Sequence, residues 1–169
     1  MQGRHAEAAR AEETAIRLLR DRTSPADREE LGHALSNIAI TYGDMGRTGD
    51  AISAVREAVD VFRALFETDA RHSADLAWPL ANLGTLLHES GRHEEALPPA
   101  EESERRYRAA IAEGKSDLNG YLASTLETKA QILHALNRPS EAASAADQAA
   151  LIRDRLGQSR KPHPGASPS

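Results

Sequence analysis

The sequence contains seven histidines and no cysteine, so any metal or nucleophile chemistry would have to use His, Asp, Glu, Ser or Thr. A zinc site needs three or four ligands, and neither H-E-x-x-H nor a comparably close set occurs. Hydrolytic triads place a nucleophile on a strained turn, and no G-x-S-x-G segment is present. The glycines stand singly instead of forming a phosphate-binding loop. The residues therefore predict a chain that is not an enzyme, with no catalytic residue, no cofactor and no metal ligand.

The charged residues favour a protein or peptide partner over nucleic acid or membrane. A net charge of -5 provides no field that attracts phosphates, so the expected partner is neutral to basic. No apolar run approaches the roughly 18 residues of a membrane helix, and the N-terminus lacks a signal-peptide core, so we expect a cytoplasmic chain. The run 101–108 predicts a solvated helix face, because its charges pair at i,i+4. The pairs are Glu101 with Arg105, Glu102 with Arg106, and Glu104 with Arg108.

Four similar segments divide the chain into repeats. They begin at Gly3, Gly46, Gly91 and Asn137, and each has Arg as its second residue and Ala as its sixth. Gly or Asn is what a left-handed helix C-cap requires, because other residues suffer a Cβ clash there. Each segment therefore predicts the end of one helix, a tight turn and the start of another.

A second block precedes three of these turns, beginning at Leu35, Leu80 and Leu126. In each block, the Leu and the positions three, four and seven residues later lie on one face of a helix. The fourth position is always small, which lets a neighbouring helix come close; it is occupied by Ala39, Gly84 and Ala130. With 40% hydrophobic and only 4% aromatic residues, the composition also favours helices.

These blocks resemble the tetratricopeptide repeat, which pairs a Leu-and-small-residue helix with an Ala-containing second helix across a Gly turn. The spacing exceeds the family's usual length of about 34 residues and is similar to the extended repeats of kinesin light chains and actinobacterial regulators. The resemblance implies an all-α fold, a right-handed tetratricopeptide-type α-solenoid of about seven antiparallel helices. We expect helices at 4–20, 25–43, 49–66, 74–89, 94–112, 118–136 and 140–156. The solenoid is predicted to span 1–157, followed by a disordered tail at 158–169.

Two features depart from the family pattern. Pro98 and Pro99 are expected to delay or kink the fifth helix, because neither can donate to the helical ladder. Helix 4–20 precedes three full helix pairs and has no first helix of its own, so its apolar residues Ile16 and Leu19 are expected to be exposed. Such a face predicts self-association through the first helix or a missing upstream segment; the alternative is a terminal cap.

The resemblance places a binding groove on the first helix of each pair. The predicted partner-binding residues are Asn37, Asp44, Trp78, Asn82, Thr85, His88, Glu89, Glu127, Gln131 and His134. An Asn carboxamide can both donate to and accept from an extended peptide backbone, although Asn37 and Asn82 could instead bond locally within the solenoid. Trp78 is either a ligand anchor or a packing residue at the helix start. His88 and His134 could face one another across the groove.

The predicted function is a protein-protein interaction module that binds a protein or extended peptide in the concave groove. Such a module could be the repeat part of a larger signalling or transcriptional regulator. The alternative is a regulatory domain that senses a small ligand or peptide by changing the curvature of the solenoid. The predicted groove residues include Asp44, Glu89 and Glu127 but no Lys or Arg, which favours neutral or basic partners over acidic ones.

Overall fold

A computed structural model describes residues 2–69 and 73–159. Seven α-helices follow one another, and within these ranges no strand occurs. They are α1 (Gln2–Arg20), α2 (Pro25–Asp44), α3 (Thr48–Thr68), α4 (Ser73–Glu89), α5 (His93–Ala112), α6 (Asn119–Ala135) and α7 (Pro139–Ser159). All seven predicted helices are confirmed, with boundaries that differ by at most three residues. Because α7 continues to Ser159, the predicted tail begins inside a helix, and its remainder at 160–169 lies outside the described residues.

Three of the four predicted left-handed turns are present, at Gly46, Gly91 and Asn137, whose φ angles are 72°, 78° and 57°; the fourth is not, because Gly3 lies inside α1. After each turn residue, the next backbone N–H donates to a carbonyl in the last turn of the preceding helix. For Arg92 and the Leu87 carbonyl the distance is 2.9 Å. This bond closes the C-terminus of the helix, which would otherwise leave carbonyls without donors. The same local geometry therefore reverses the chain three times.

The arginine that follows each turn residue is bound to an acid in the first turn of the next helix. Arg92 donates to Glu95 from Nε at 2.8 Å and from Nη2 at 2.6 Å. Hydrogen bonds from Arg92 and Arg138 hold the pKa values of Glu95 and Glu141 below their usual range. Arg47 and Asp50 make the equivalent contact at 2.7 Å. Backbone and side-chain hydrogen bonds together therefore fix each turn, whereas in the sequence only the Gly or Asn indicates it.

The helices form two layers, with α2, α4 and α6 as A helices and α1, α3, α5 and α7 as B helices. Each A helix packs closely on the B helix that follows it. A Cβ added to Gly84 would lie 3.3 Å from the Cβ of Ala100 and 3.4 Å from the Ala96 carbonyl oxygen. Gly32 is closer still to Phe62, because an added Cβ would lie 2.6 Å from its ring. Small residues therefore set the separation of the two layers.

Successive A helices touch, whereas no Cα pair of successive B helices comes within 8 Å in the described part of the chain. Polar side chains bridge the B helices instead. Arg20 of α1 binds Glu57 of α3 at 2.7 Å, and Arg63 of α3 binds Glu102 of α5 at 2.9 Å. Arg108 of α5 continues the series to α7 by donating to Gln148. The A helices therefore form the concave side, and the B helices diverge on the convex side.

The convex side is open enough between α3 and α5 to leave a cleft of about 420 Å³. Its floor is formed by α4 leucines, and its rim includes the Arg63–Glu102 bridge. The three floor residues are Leu80, Leu83 and Leu87. The cleft confirms that side chains, and not direct helix packing, join these two B helices.

One interface replaces an apolar contact by an ion pair. Val59 and Leu83 belong to the main core at the α3–α4 step, whereas the repeat-equivalent residues at the α5–α6 step are Glu104 and Lys129. Lys129 Nζ lies 2.8 Å from Glu104 Oε2, and Arg108 contacts the other oxygen at 2.9 Å. Burial raises the pKa of Glu104, but these hydrogen bonds outweigh it, and the net pKa is lowered. An ion pair therefore joins α5 to α6 at the position where apolar side chains join α3 to α4.

The expected i,i+4 pairs of α5 form only in part. Arg106 binds Glu102 at 2.8 Å and Arg108 binds Glu104 at 2.9 Å. No ion pair joins Glu101 to Arg105. Because Glu102 and Glu104 also reach across to other helices, the run 101–108 is a partly buried connector and not a purely solvated face.

The expectation that α1 exposes Ile16 and Leu19 is wrong. They are only 5% and 6% exposed, because α1 turns this side toward α2 and joins the main core. The large apolar residue that the described part of α1 exposes is Leu18, at 60%. The burial of Ile16 and Leu19 favours the interpretation of this side of α1 as a cap on the first repeat.

The expectation that prolines delay the fifth helix is also wrong. α5 begins at His93 and continues through Pro98 and Pro99 without interruption. Its early turns are held against α4, where Ala96 and Ala100 are almost completely buried beside Gly84. This packing compensates for the missing backbone donors. Pro79 likewise lies inside a continuous α4.

We predict that Gly32→Ala lowers the free energy of unfolding by about 1–3 kcal/mol, because the added methyl group forces the buried Phe62 ring to shift. Gly49→Ala is the matched control, since an added Cβ there meets nothing within 4 Å and Ala is the better helix former. Chemical denaturation of both variants checks this prediction. Equal stability of Gly32→Ala and the original chain would contradict it.

Candidate functional site

A cavity of about 230 Å³ lies between α2 and α4 on the concave side. Four predicted groove residues line it: Asp44, Asn82, Thr85 and Glu89. Ala39, Ile40, Gly43 and Leu86 complete the wall. Pockets that hold drug-sized ligands usually measure about 300–1,000 Å³, so this cavity matches a single side chain better than a cofactor.

The small residues of the repeat create the cavity. Ala39 is the small residue of the A-helix block, and Gly43 follows one turn later on the same helix. A Cβ on Gly43 would lie 3.6 Å from the nearest Leu86 methyl carbon, in ordinary van der Waals contact. Because α2 presents so little side-chain volume here, space remains between the two A helices. The polar residues at the ends of α2 and α4 then define its rim.

Asn82 is the polar residue of the cavity that lacks a partner. Its Nδ2 atom is buried and makes no hydrogen bond to any described residue. A buried amide donor without an acceptor is unusual, because no hydrogen bond offsets the free energy of removing the donor from water. No protein hydrogen bond holds the amide, and because its Nδ2 atom is buried, it must turn toward the cavity to donate to a partner. The local bond that the sequence analysis kept as an alternative for Asn82 is not observed.

Asp44 and Glu89 are the acidic residues of the cavity rim. Both are exposed, and they occupy equivalent positions in successive repeats, just before the two left-handed turns. No Lys or Arg of the described residues forms an ion pair with either. Thr85 is satisfied locally, since its Oγ1 donates to the Ala81 carbonyl at 3.1 Å. The rim is therefore a negatively charged edge around one unpaired amide.

The other predicted residues lie outside this cavity. Asn37 is exposed and does not line it, although it is the repeat equivalent of Asn82. Trp78 is half-buried near the start of α4, whereas Gln131 and His134 are exposed on α6. Their assignment to a binding surface stays a prediction.

Glu127 is not a free acidic residue of the groove. Arg153 of α7 binds its carboxylate at 3.0 Å and also donates to Ser124 at 2.7 Å. An Arg from outside the predicted set therefore lies beside one of the three predicted groove acids. Arg153 stands at the repeat position of Phe62 and Tyr107, and its long side chain reaches α6 from the neighbouring helix. Nothing in the local sequence of α6 indicates this contact.

His88 contacts His93 across the Gly91 turn, and the predicted approach of His88 to His134 is not observed. The two Nδ1 atoms lie 3.0 Å apart, so one ring must donate a proton and the other accept it. Burial lowers the pKa of His88, and His93 lowers it further, whereas Glu89 opposes the shift. His88 is therefore held in its neutral form more strongly than a solvated histidine.

We predict that His88 makes the fold less stable in mild acid. The pKa of His88 is lowered in the folded chain. Its contribution to the stability of the fold is therefore complete above the ordinary pKa of 6.5 and is lost as the pH falls below that value. When the pH is lowered from about 7.5 to about 5.5, the melting temperature of His88→Gln should therefore fall less than that of the original chain. His134→Gln is the control, because it removes an exposed imidazole. A His88→Gln profile parallel to that of the original chain would contradict the prediction.

Among the described residues, no group of three or more His, Asp or Glu is arranged to hold a metal ion. No described helix is both long and apolar enough to cross a membrane. Ile40, which the resemblance places on the groove, and Leu86, which it does not, also line the cavity. Ile40 is 46% exposed on an A helix, and an apolar residue among the polar positions of α2 was the available signal.

The fold is that of an α-solenoid built from helix pairs, a class whose repeats stack only on their neighbours. Residues 30–109 match the tetratricopeptide repeat family model. The match covers a little less than half of the chain, and the chain as a whole has the fold of a tetratricopeptide-type helical solenoid.

A solved structure agrees with this fold. BtubC (BKLC) from P. vanneervenii superposes with a TM-score of 0.77 at 23% identity, covering 99% of this chain and 63% of BtubC. The chain thus spans less than two thirds of the length of that protein. The superposition with MamA covers 93% of this chain and 93% of MamA, at 15% identity and with a TM-score of 0.42. No curated protein matches the sequence significantly.

Proposed function

We propose that this chain is a protein-interaction module that holds an extended segment of a partner protein on its A helices. Tetratricopeptide repeats generally mediate contacts between proteins, which supports the general role. The observation that carries the proposal is the α2–α4 cavity, where Asn82 has no internal partner and two acids have no counter-charge. A non-enzymatic role and a neutral or basic partner are parts of the same proposal.

The size and lining of the cavity support a peptide over a small molecule. The cavity, at about 230 Å³, has room for one side chain, and polar groups at its edge can bind the adjacent peptide backbone. The sensing alternative draws support from a different feature, the convex side. Because B helices are joined there by side chains alone, ligand binding could change the curvature of the solenoid. Curvature change and peptide binding are compatible.

We predict that Asn82→Ala weakens binding of the natural partner by about 1 kcal/mol or somewhat more, the size expected for a lost hydrogen bond. The melting temperature should change little, since the Nδ2 atom makes no hydrogen bond within the described residues. The partner is first identified by affinity purification and mass spectrometry from the native host, and titration and thermal melting are then compared. Glu67→Ala, at an exposed position of α3 outside the predicted groove, is the control. An Asn82→Ala chain that melts early but, while folded, binds normally would assign Asn82 a structural role.

We also propose that the outward face of α1 pairs with the same face of a second copy. Ala8 and Ala15 are exposed beside Leu18. The equivalent residues of every later B helix are buried against the preceding A helix. They are Ala51, Ala96 and Ala142 for Ala8, and Ala58, Ser103 and Ala149 for Ala15. α1 thus keeps a surface shaped for close helix packing, and two such surfaces are self-complementary.

We predict that the chain dimerises with increasing concentration and that Leu18→Glu shifts it to monomer, because a charge is introduced into an apolar contact. Leu151→Glu is the control, since Leu151 is 52% exposed on α7 at the opposite end of the solenoid. Sedimentation velocity over a range of concentrations measures both. An original chain that stays monomeric throughout would exclude pairing through α1.

A further inference from the structure

The acids of the α2–α4 cavity mark a specific subsite. Asp44 and Glu89 approach the same cavity from successive repeats, one at the end of α2 and one at the end of α4. Neither has a cationic partner among the described residues. His88 is the neighbouring titratable group whose pKa Glu89 raises. Burial and His93 lower that pKa by more, so His88 is held toward its neutral form and does not supply a positive charge. Two uncompensated carboxylates around one cavity are complementary to a cation.

The remaining lining residues distinguish an organic cation from a free ion. Ile40 is 46% exposed at the cavity, and Leu86 and the small residues Ala39 and Gly43 add apolar surface. A metal ion would gain nothing from such a wall, whereas the aliphatic stem of Lys or Arg packs on apolar surface while its charged end stays at the rim. The unpaired amide of Asn82 in the same cavity provides a hydrogen-bond donor that a neighbouring peptide carbonyl can satisfy.

The arrangement occurs at one step of the solenoid. In the third repeat, the position of Asp44 and Glu89 is occupied by Ala135, and the position of Asn82 by Thr128. The acid of α6 that was assigned to the groove, Glu127, is already neutralised by Arg153. A partner segment that crosses the A helices therefore meets an uncompensated negative site between α2 and α4 and no equivalent between α4 and α6.

We propose that the α2–α4 cavity binds one Lys or Arg side chain of the partner segment, with its cation between Asp44 and Glu89. The stem of this side chain lies against Ile40 and Leu86, and a carbonyl beside it accepts a hydrogen bond from Asn82. This inference rests on the proposed function of the groove and adds the side chain that it selects. The A helices of this chain would therefore prefer an extended segment with a basic residue at one fixed position.

The test uses N-acetyl-arginine methylamide as the probe and N-acetyl-citrulline methylamide as its uncharged isostere. Each is titrated into the isotopically labelled full chain and followed by NMR. The arginine probe is expected to shift the backbone amide of Gly43 and the side-chain amide of Asn82, with binding that weakens as salt is added. The citrulline probe should bind at least about tenfold more weakly, because it lacks the charge that the two carboxylates recognise.

The double variant Asp44→Asn/Glu89→Gln should also bind the arginine probe about tenfold more weakly or not measurably. Glu67→Gln/Asp147→Asn is the matched control, since it makes the same change in net charge at two exposed residues outside the cavity. Equal responses to the two probes, or unchanged binding by the Asp44→Asn/Glu89→Gln chain, would overturn the inference. Because the comparison of probes uses the original chain, it decides the question even if the double variant does not fold.

Failure of this inference can be distinguished from failure of the proposed function. If Asn82→Ala weakens the natural partner but the two probes behave alike, the groove binds a partner without selecting a basic side chain. If the arginine probe binds as expected but the natural partner is insensitive to both Asn82→Ala and the Asp44→Asn/Glu89→Gln change, the subsite exists and the groove is not the partner's contact surface.

Discussion

The close contact between each A helix and the following B helix determines the rest of this structure. At Gly84 the two helices are so close that an added methyl group would touch both the side chain of Ala100 and the backbone of Ala96. Two helices held at this distance bury a continuous apolar face, which a single helix of this length could not do. The pairs then stack, and the A helices come together on one side. The cavity between α2 and α4 is a product of that stacking, since it lies where small residues leave space between two successive A helices.

Most of the fold could be predicted from local signals. Gly46, Gly91 and Asn137 mark turns because the left-handed conformation restricts the residue type, and the Leu blocks mark helices by their period. The contacts between repeats could not be predicted in this way. The exchange of Val59 and Leu83 for Glu104 and Lys129 becomes meaningful only when the facing residues of two helices are known. Considered alone, Glu104 and Lys129 each interrupt the apolar pattern of their own helix.

The candidate site shows the same limit. Asp44, Asn82, Thr85 and Glu89 were predicted because the repeat register defines which side of an A helix faces the groove, and the structure brings these four together. Glu127 obeyed the same register but is bound by Arg153, whose position on α7 gives no local sign of its reach. The face of α1 was predicted incorrectly for a related reason. An amphipathic pattern shows that a helix has an apolar side but does not show which neighbour covers it, and Ile16 and Leu19 are covered by α2.

The unequal joining of the two layers has a mechanical consequence. Along the A helices, adjacent repeats are in direct contact and resist compression, whereas along the B helices they are connected across open clefts by arginine side chains such as Arg20 and Arg63. Opening of the convex side lengthens these tethers, whereas the packing of each B helix on the next A helix still holds adjacent repeats together. Exposed ion pairs weaken in salt, so added salt removes part of the resistance to such opening. The rest shape of the solenoid is therefore fixed by apolar packing, and its charged side chains add a resistance to bending that depends on ionic strength.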